Sequence, residues 1–377
     1  MLTTCSHFDL AIIGGGPAGC SAAITAACSG ASVVLFEARD YPRHKVCGEF
    51  VSAEALDVLA NLLGKSEAAQ AMFEGAPAIH RTRLWLGMRK IEAQVSPAAL
   101  SITRYDLDAQ LWSAAQAAGV ETRANCEVSS VGGDGPFRLV TFAGEFSARA
   151  LIIAAGRWSQ FTSGRNVLSG PKYIGVKGHF RDSAPSPTTD LYFFEGGYCG
   201  VQPVAKDIVN ACAMVRSDCA TSLKEVFQQH PRLASRTADW APVTPLVTTA
   251  PLIYRQATPV EGNIVFSGDA AAFINPFVGD GISIALRSGQ VAAQCLAKFL
   301  SGEITLRQAV GAYQVEYSRQ FVPLLLAAAR VRSLLALPHL ARSATFELLR
   351  LPGVMPYVIR RTRRAARKAR ARQVGTE

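Results

Sequence analysis

The stretch Phe8–Glu37, FDLAIIGGGPAGCSAAITAACSGASVVLFE, decides the reading of this chain, because it holds a complete β-turn-α-β unit with a glycine fingerprint and a terminal acid. The apolar run Leu10–Ile13 ends at Gly14, Gly16 and Gly19. In this spacing the first glycine permits the tight turn, the second lets a pyrophosphate approach the backbone, and the third lets helix and strand pack closely. A phosphate then sits on the helix N-terminus, where unpaired N–H groups and the helix dipole favour an anion. Pro17 and Ala18 open that helix, at the position where proline's missing N–H costs least. Gly30 supplies the stop, and Ala31–Phe36 reads as the second strand. Glu37 lies 23 residues beyond Gly14, with Ala38 beside it, at a spacing where a carboxylate accepts hydrogen bonds from ribose hydroxyls. The unit predicts a dinucleotide ligand.

The acid alone does not separate a nicotinamide from a flavin dinucleotide, and two later segments do. Ala148–Arg157, ARALIIAAGR, is another buried-strand run, broken at Ala155 and Gly156. Gly262–Leu286, GNIVFSGDAAAFINPFVGDGISIAL, is a strand ending in Gly268 and Asp269, then a glycine-bearing loop and a helix. With the first unit, these segments resemble the flavoprotein group that contains p-hydroxybenzoate hydroxylase, the flavin-dependent halogenases and the geranylgeranyl reductases, over most of residues 8 to 300. The resemblance implies FAD, with the Asp269 carboxylate on its ribityl chain and the loop from Pro276 through Gly279 to Gly281 and Ile282 packed against the isoalloxazine. Glycines there let main-chain N–H groups approach a flat ring. The residues by themselves also allow Asp269 to be a helix N-cap before AAAF.

The resemblance sharpens at Tyr41–Ser52, YPRHKVCGEFVS, which is most similar to the geranylgeranyl reductase branch. It implies that Arg43 contacts the cofactor and that Cys47, Gly48 and Glu49 approach the flavin ring as the candidate catalytic stretch. A cysteine there is an acid, a redox thiol or a small packing residue, and packing is the commoner use of an unpaired Cys. Arg104, in ITRYDLDAQLW, matches the family arginine that opens a helix and reaches the FAD phosphates or the nicotinamide donor; a surface arginine at a helix start is the alternative.

One departure stands out. Where the halogenases and prenyl reductases carry an aromatic W-x-I-P or W-x-F-P strand, Gly197–Pro203 reads GYCGVQP. Gly200 and Gln202 replace an indole and an apolar residue, so a pocket lined by Tyr198, Gly200, Gln202 and Pro203 is expected to be wider and more polar than a prenyl tunnel. Strand alternation leaves the outward face as the alternative for Gln202. No counterpart of the halogenase lysine is found, which ranks halogenation low.

Composition agrees. The chain has 377 residues, 49% hydrophobic and 18% charged, which fits a globular protein with a substantial core. Nine cysteines without a CxxC pair suggest reduced thiols in a cytoplasmic protein. No leader is read at the N-terminus, and the best apolar stretch, Phe321–Pro338, is interrupted by Arg330 and Arg332. The six histidines lack ligand spacing, so no metal site is expected. Of 39 basic residues, eight lie in RRTRRAARKARAR at 360–372; the other 31 face 29 acidic ones, so the net charge of +10 is mostly a tail. Such a block docks on an anionic membrane or stays a solvated end, and nothing in it indicates nucleic acid.

The fold class expected is α/β: a Rossmann-like FAD-binding domain of the glutathione-reductase type, assembled from 1–68, 101–165 and 260–305. An antiparallel substrate sheet is inserted at 69–100 and 166–259, and C-terminal helices with the basic tail fill 306–377. Residues 133–135 (GDG) read as a hairpin turn. The activity implied is an FAD-dependent oxidoreductase acting on a hydrophobic, isoprenoid- or polyketide-like molecule by hydride transfer to a C=C bond. The alternative is a monooxygenase that hydroxylates an aromatic or polyketide substrate through a C4a-hydroperoxide. With no second GxGxxG, NADPH or NADH is expected only as a transient donor.

Overall fold

Strands buried on both faces need helices on both sides, and the core strand Ser6–Ile13 has that pattern, with Leu10, Ala11 and Ile12 wholly buried. The computed structural model describes residues 6–157, 160–162, 170–183, 185–252, 254, 256–273, 279–335 and 346–347. Ser6–Ile13 pairs in parallel with Val33–Phe36 on one side and Gly144–Ile153 on the other. Glu121–Arg123 and Ile264–Phe266 extend this first sheet in parallel, and Val260–Glu261 closes one edge. The hairpin Val128–Gly132 and Phe137–Thr141 turns through 133–136 and joins Gly144–Ile153.

Helix Pro17–Cys28 crosses the first sheet beside the long helix Gly281–Leu300. Their approach depends on glycine: a Cβ at Gly289 would lie 2.1 Å from the Ala18 carbonyl oxygen. The helix Leu306–Gln320 is tied beneath by Tyr313, which donates to the Phe266 carbonyl at 2.8 Å, and Val322–Leu335 follows. Segment 360–372 lies outside the described residues. No helix among the described residues is long and apolar enough to cross a membrane. The eight described cysteines are all free thiols.

The second sheet runs Val247–Leu252, Tyr173–Arg181, Ile208–Arg216, Gly197–Ala205, Thr188–Phe194, Ala78–Leu86, Arg89–Ser101, Phe50–Val51. It is mixed rather than purely antiparallel, because Thr188–Phe194 runs parallel to Ala78–Leu86. Phe50–Val51 belongs here although it lies in the stretch read as dinucleotide-binding, and it ties the Tyr41–Ser52 loop to the sheet edge. Alternation sorts the faces. Tyr192, Phe194, Cys199, Val201 and Val209 pack under helices Leu223–Gln228 and Pro231–Arg236. Leu84, Leu86, Phe193, Tyr198 and Met214 form a separate apolar cluster on the other face, toward the first sheet.

Candidate active site

The glycine turn is built as the sequence requires. Gly14 has φ +107°, and a Cβ at Gly19 would stand 1.8 Å from the Gly14 carbonyl oxygen, so strand and helix close only around two glycines. At Gly16 the nearest atom to an added Cβ is Lys45 Nζ, at 3.9 Å, which leaves that backbone open to a ligand. Glu37 Oε2 accepts the Gly15 N–H at 3.0 Å, and Oε1 accepts from Arg43 Nη2 at 3.0 Å and the Arg39 N–H at 3.2 Å. The acid therefore fixes the turn as well as facing the cavity. Tyr41 Oη donates to the Gly15 carbonyl at 2.6 Å and packs on Trp112 at 5.3 Å.

Behind the turn lies a charge cluster. Asp108, fully buried, accepts from Arg104 Nε at 2.8 Å and Nη2 at 2.7 Å, and from Lys45 Nζ at 2.7 Å. Burial alone would raise its carboxyl, yet Arg104 and Lys45 hold it at about 2. Burial lowers Lys45 and the Asp108 charge opposes that. Arg104 opens helix Arg104–Ala117, and its N–H donates to Glu49 Oε1 at 2.8 Å.

Glu49 is buried, with φ +61°, and gathers donors from across the second sheet. Lys177 Nζ donates to Oε1, and His179 Nε2 lies 2.7 Å from Oε2. Burial would raise this carboxyl, but the His179 hydrogen bond and the Lys177 charge hold it below its ordinary value. His44 meets the His179 ring edge-on at 5.1 Å.

Gly16, Glu37, His44, Lys45, Glu49 and Arg104 line one cavity of about 1200 Å³, which runs from the glycine turn to the apolar face of the second sheet, while Asp108, Lys177 and His179 are buried off its wall. Pockets for a single drug-sized ligand hold roughly 300–1,000 Å³, so there is room for a cofactor and a second molecule. Asp269 stands in its wall, half-buried and without a hydrogen bond among the described residues; burial pushes its carboxyl up against the pull of Arg157 and Arg104. It lies inside the 3-10 turn Gly268–Ala270 capped by Ser267, so it is not the helix N-cap that the sequence alone allowed. An acceptor left free in a cleft, an open glycine backbone beside Lys45 and a ribose-spaced acid fit a flavin dinucleotide.

Comparison with known proteins agrees with this site. Residues 9–42 match the family model described as FAD dependent oxidoreductase. Digeranylgeranylglycerophospholipid reductase 2 of Methanopyrus kandleri is 24% identical over 348 residues, 84% of this chain and 83% of that one. Menaquinone reductase of Mycolicibacterium smegmatis is 27% identical over 333 residues, 79% of this chain and 77% of the other. The solved flavin-dependent brominase Bmp2 superposes with TM-score 0.80 at 20% identity, covering 95% and 93% of the two chains; at that identity the likeness is one of fold. The chain is an FAD-dependent oxidoreductase.

Most residues of the oxidoreductase that the sequence nominated for the cofactor meet in this cavity: Gly14, Gly16, Pro17, Ala18, Glu37, Ala38, Arg43, Arg104, Ala155, Gly156, Gly268, Asp269, Gly279, Gly281 and Ile282. Gly19 is absent from the wall because its task is the helix–strand contact. Pro276 lies outside the described residues. Cys47, Gly48 and Glu49 line the wall, as do Tyr198, Gly200 and Gln202. Pro203 does not; the strand's period of two turns it away with Val201. Gln202 faces inward, its Oε1 accepting from Thr189 Oγ1 at 2.9 Å and its Nε2 donating to Ser101 Oγ at 2.6 Å. Both amide atoms have partners, so its polarity is confined locally, and Leu84, Leu191, Phe193 and Met214 leave the wall more apolar than expected.

Sequence reading missed Lys45, Asp108, Lys177 and His179. Asp108 was within reach, since four residues after Arg104 is the spacing of a helical ion pair. Lys177 and His179 interrupt the apolar alternation of YIGVKGHF, a signal that gains meaning only when Glu49 is known to face them. The histidines gave no ligand spacing, yet His44, Glu49 and His179 bring ligand atoms within 4.8 Å of one another. Lys177 already occupies that carboxylate, so an ammonium supplies the positive charge a metal ion would bring.

Proposed function

We propose that this oxidoreductase saturates a C=C bond of a hydrophobic, isoprenoid- or polyketide-like molecule, with NADPH or NADH as the transient donor. Bound FAD supplies hydride transfer in both directions. Gly16 and Lys45 would receive its pyrophosphate, with Asp108 holding Lys45 in place, and Asp269 would accept hydroxyl hydrogen bonds from its ribityl chain. Glu49 stands in the cavity wall with Lys177 Nζ and His179 Nε2 bound to its carboxylate from behind, so a proton needed when a hydride is added would reach the cavity through Glu49. Leu84, Leu86, Leu191, Phe193 and Met214 exclude water and hold the hydrocarbon.

The observation that carries this reading is the continuity of one cavity from the dinucleotide turn to an apolar sheet face. Similarity to two proteins named as reductases of a prenylated lipid and of menaquinone supports the same choice. Enzyme reduced without oxygen and mixed with a polyprenyl lipid or menaquinone should regain its oxidised flavin spectrum as the probe gains two hydrogens. Reoxidation only by O₂, with labelled oxygen entering the product, would instead make the protein a hydroxylase.

Gly200 offers a test of the pocket. A Cβ there would meet Leu191 Cδ2 at 3.2 Å and the Cys212 carbonyl at 3.7 Å, so a side chain grows into the cavity after a small shift of Leu191. Gly200→Trp is expected to keep FAD and melting temperature while losing substrate-dependent turnover. Normal turnover would place that face away from the chemistry.

The tail docks the enzyme on anionic membranes in the same proposal, at about 1 kcal/mol per basic residue near the lipid. Truncation before Arg360 should abolish pelleting with anionic vesicles at unchanged FAD content, and high salt should mimic it. Equal pelleting of both forms returns the tail to a solvated end.

A further inference from the structure

Strand register sorts the cavity face of the second sheet into rows. Thr82 pairs with Thr189, Gln202 with Asn210, and Asn210 with His179; the hydrogen bond from Thr189 to Gln202 joins the two sets. The next row is Leu84, Leu191, Gly200 and Cys212, and the one after it Leu86, Phe193, Tyr198 and Met214. One edge of the floor is therefore polar from strand to strand, and the middle of the sheet is apolar, with Lys177, bound to Glu49, ending the second row beside Cys212 and Arg89 ending the third beside Leu86. The polar row is also placed next to the Cys47–Glu49 loop, because Asn210 Nδ2 donates to the Cys47 carbonyl at 3.0 Å and His179 meets Glu49. Of this row Thr82, Thr189 and Gln202 line the cavity, whereas Asn210 and His179 are buried off its wall.

A ligand made only of carbon and hydrogen would press hydrocarbon against this row and remove water from its amides and hydroxyls without replacing the hydrogen bonds, which opposes binding. A hydroxyl both donates and accepts, so it suits a row of amides and threonines. We propose that the wall residues Thr82, Thr189 and Gln202 select an amphipathic substrate, taking its hydroxyl-bearing end while the Leu and Phe rows take its hydrocarbon body. This rests on the hydrophobic-substrate reading above and narrows it to molecules with a neutral oxygen function at one end. It also gives Gln202 a task that the apolar residue expected at that place in the resembling strands could not perform. Because Thr189 and Ser101 already satisfy part of Gln202, the selection is that of about one neutral hydrogen bond, roughly tenfold in affinity. It is not the far larger rejection seen where a site's polar groups have no other partner.

The test compares farnesol with β-farnesene, its hydrocarbon counterpart, by titrating each into the FAD-loaded enzyme and following the flavin absorbance. The wild type should bind farnesol about tenfold more tightly. Thr189→Val and Gln202→Met should bring the ratio close to one, by weaker farnesol binding together with farnesene binding as tight as in the wild type or tighter. Should Gln202→Met lose FAD through its buried bond to Ser101, the nearly isosteric Thr189→Val still reads the row. Equal affinities in the wild type, or a ratio that survives both substitutions, overturn the assignment and leave the hydrophobic-substrate reading standing. Binding of neither probe removes both.

Discussion

Gly19→Ala is expected to yield a protein that no longer retains FAD. The added methyl carbon would lie 1.8 Å from the Gly14 carbonyl oxygen and 3.4 Å from Ala154 Cβ. Neither neighbour has room to yield: Gly14 itself sits at φ +107°, with the place of its own missing Cβ 2.5 Å from the Ala154 carbonyl. Ordinary overpacking costs about 1 to 3 kcal/mol, and a clash between two backbones exceeds that because no rotamer relieves it. Wild-type protein should purify yellow, releasing FAD on heating or in acid. Gly19→Ala should purify with little flavin and a lowered melting temperature. Gly16→Ala is the informative contrast, since its nearest obstacle is the flexible end of Lys45 at 3.9 Å. That variant should fold normally and bind FAD more weakly. Full flavin content in Gly19→Ala would discard the fingerprint as the cofactor's seat.

Asp108→Asn is expected to be nearly as damaging, for an electrostatic reason. It removes the carboxylate that neutralises Arg104 and Lys45, whose side chains are only 13% and 20% exposed. Breaking a buried pair by removing one partner costs about 3–5 kcal/mol, because the remaining charges stay desolvated. The same carboxyl gives a pH signature. Its folded value of about 2 lies below the ordinary 3.8, so the unfolded chain binds the proton first as pH falls. The stabilisation is therefore complete above about pH 4 and is lost between there and pH 2. Denaturant midpoints measured across that window should fall for the wild type and change less for Asp108→Asn. Parallel curves would show that Asp108 contributes nothing through its charge.

The first β-turn-α-β unit was legible in sequence because its determinants are local. A glycine at a positive φ, a proline in the first helical turn and an acid after the second strand each act within a few residues of their own position. The Gly-Asp pair at 268–269 was legible for the same reason, as a strand end followed by a turn. Gly289 was not: nothing in ISIALRSGQV marks that glycine, and only the crossing with helix Pro17–Cys28 shows Ala18, 271 positions earlier, occupying its side-chain space.

What the sequence by itself determined is the ligand class, since the backbone geometry that receives a dinucleotide is written in a short run of residue types. The tertiary structure alone decided which side chains meet around Glu49 and which face of the second sheet lines the cavity. Glu49 became a buried partner of Lys177 and His179 because one strand at the sheet edge, Phe50–Val51, brings its loop across to residues about 130 positions away. Gln202 faced inward and Pro203 outward because of the strand's register, which its own residues do not specify when both faces are buried. Pairing between distant strands is a long-range property, fixed only when the whole sheet packs, and so the reacting surface was decided last.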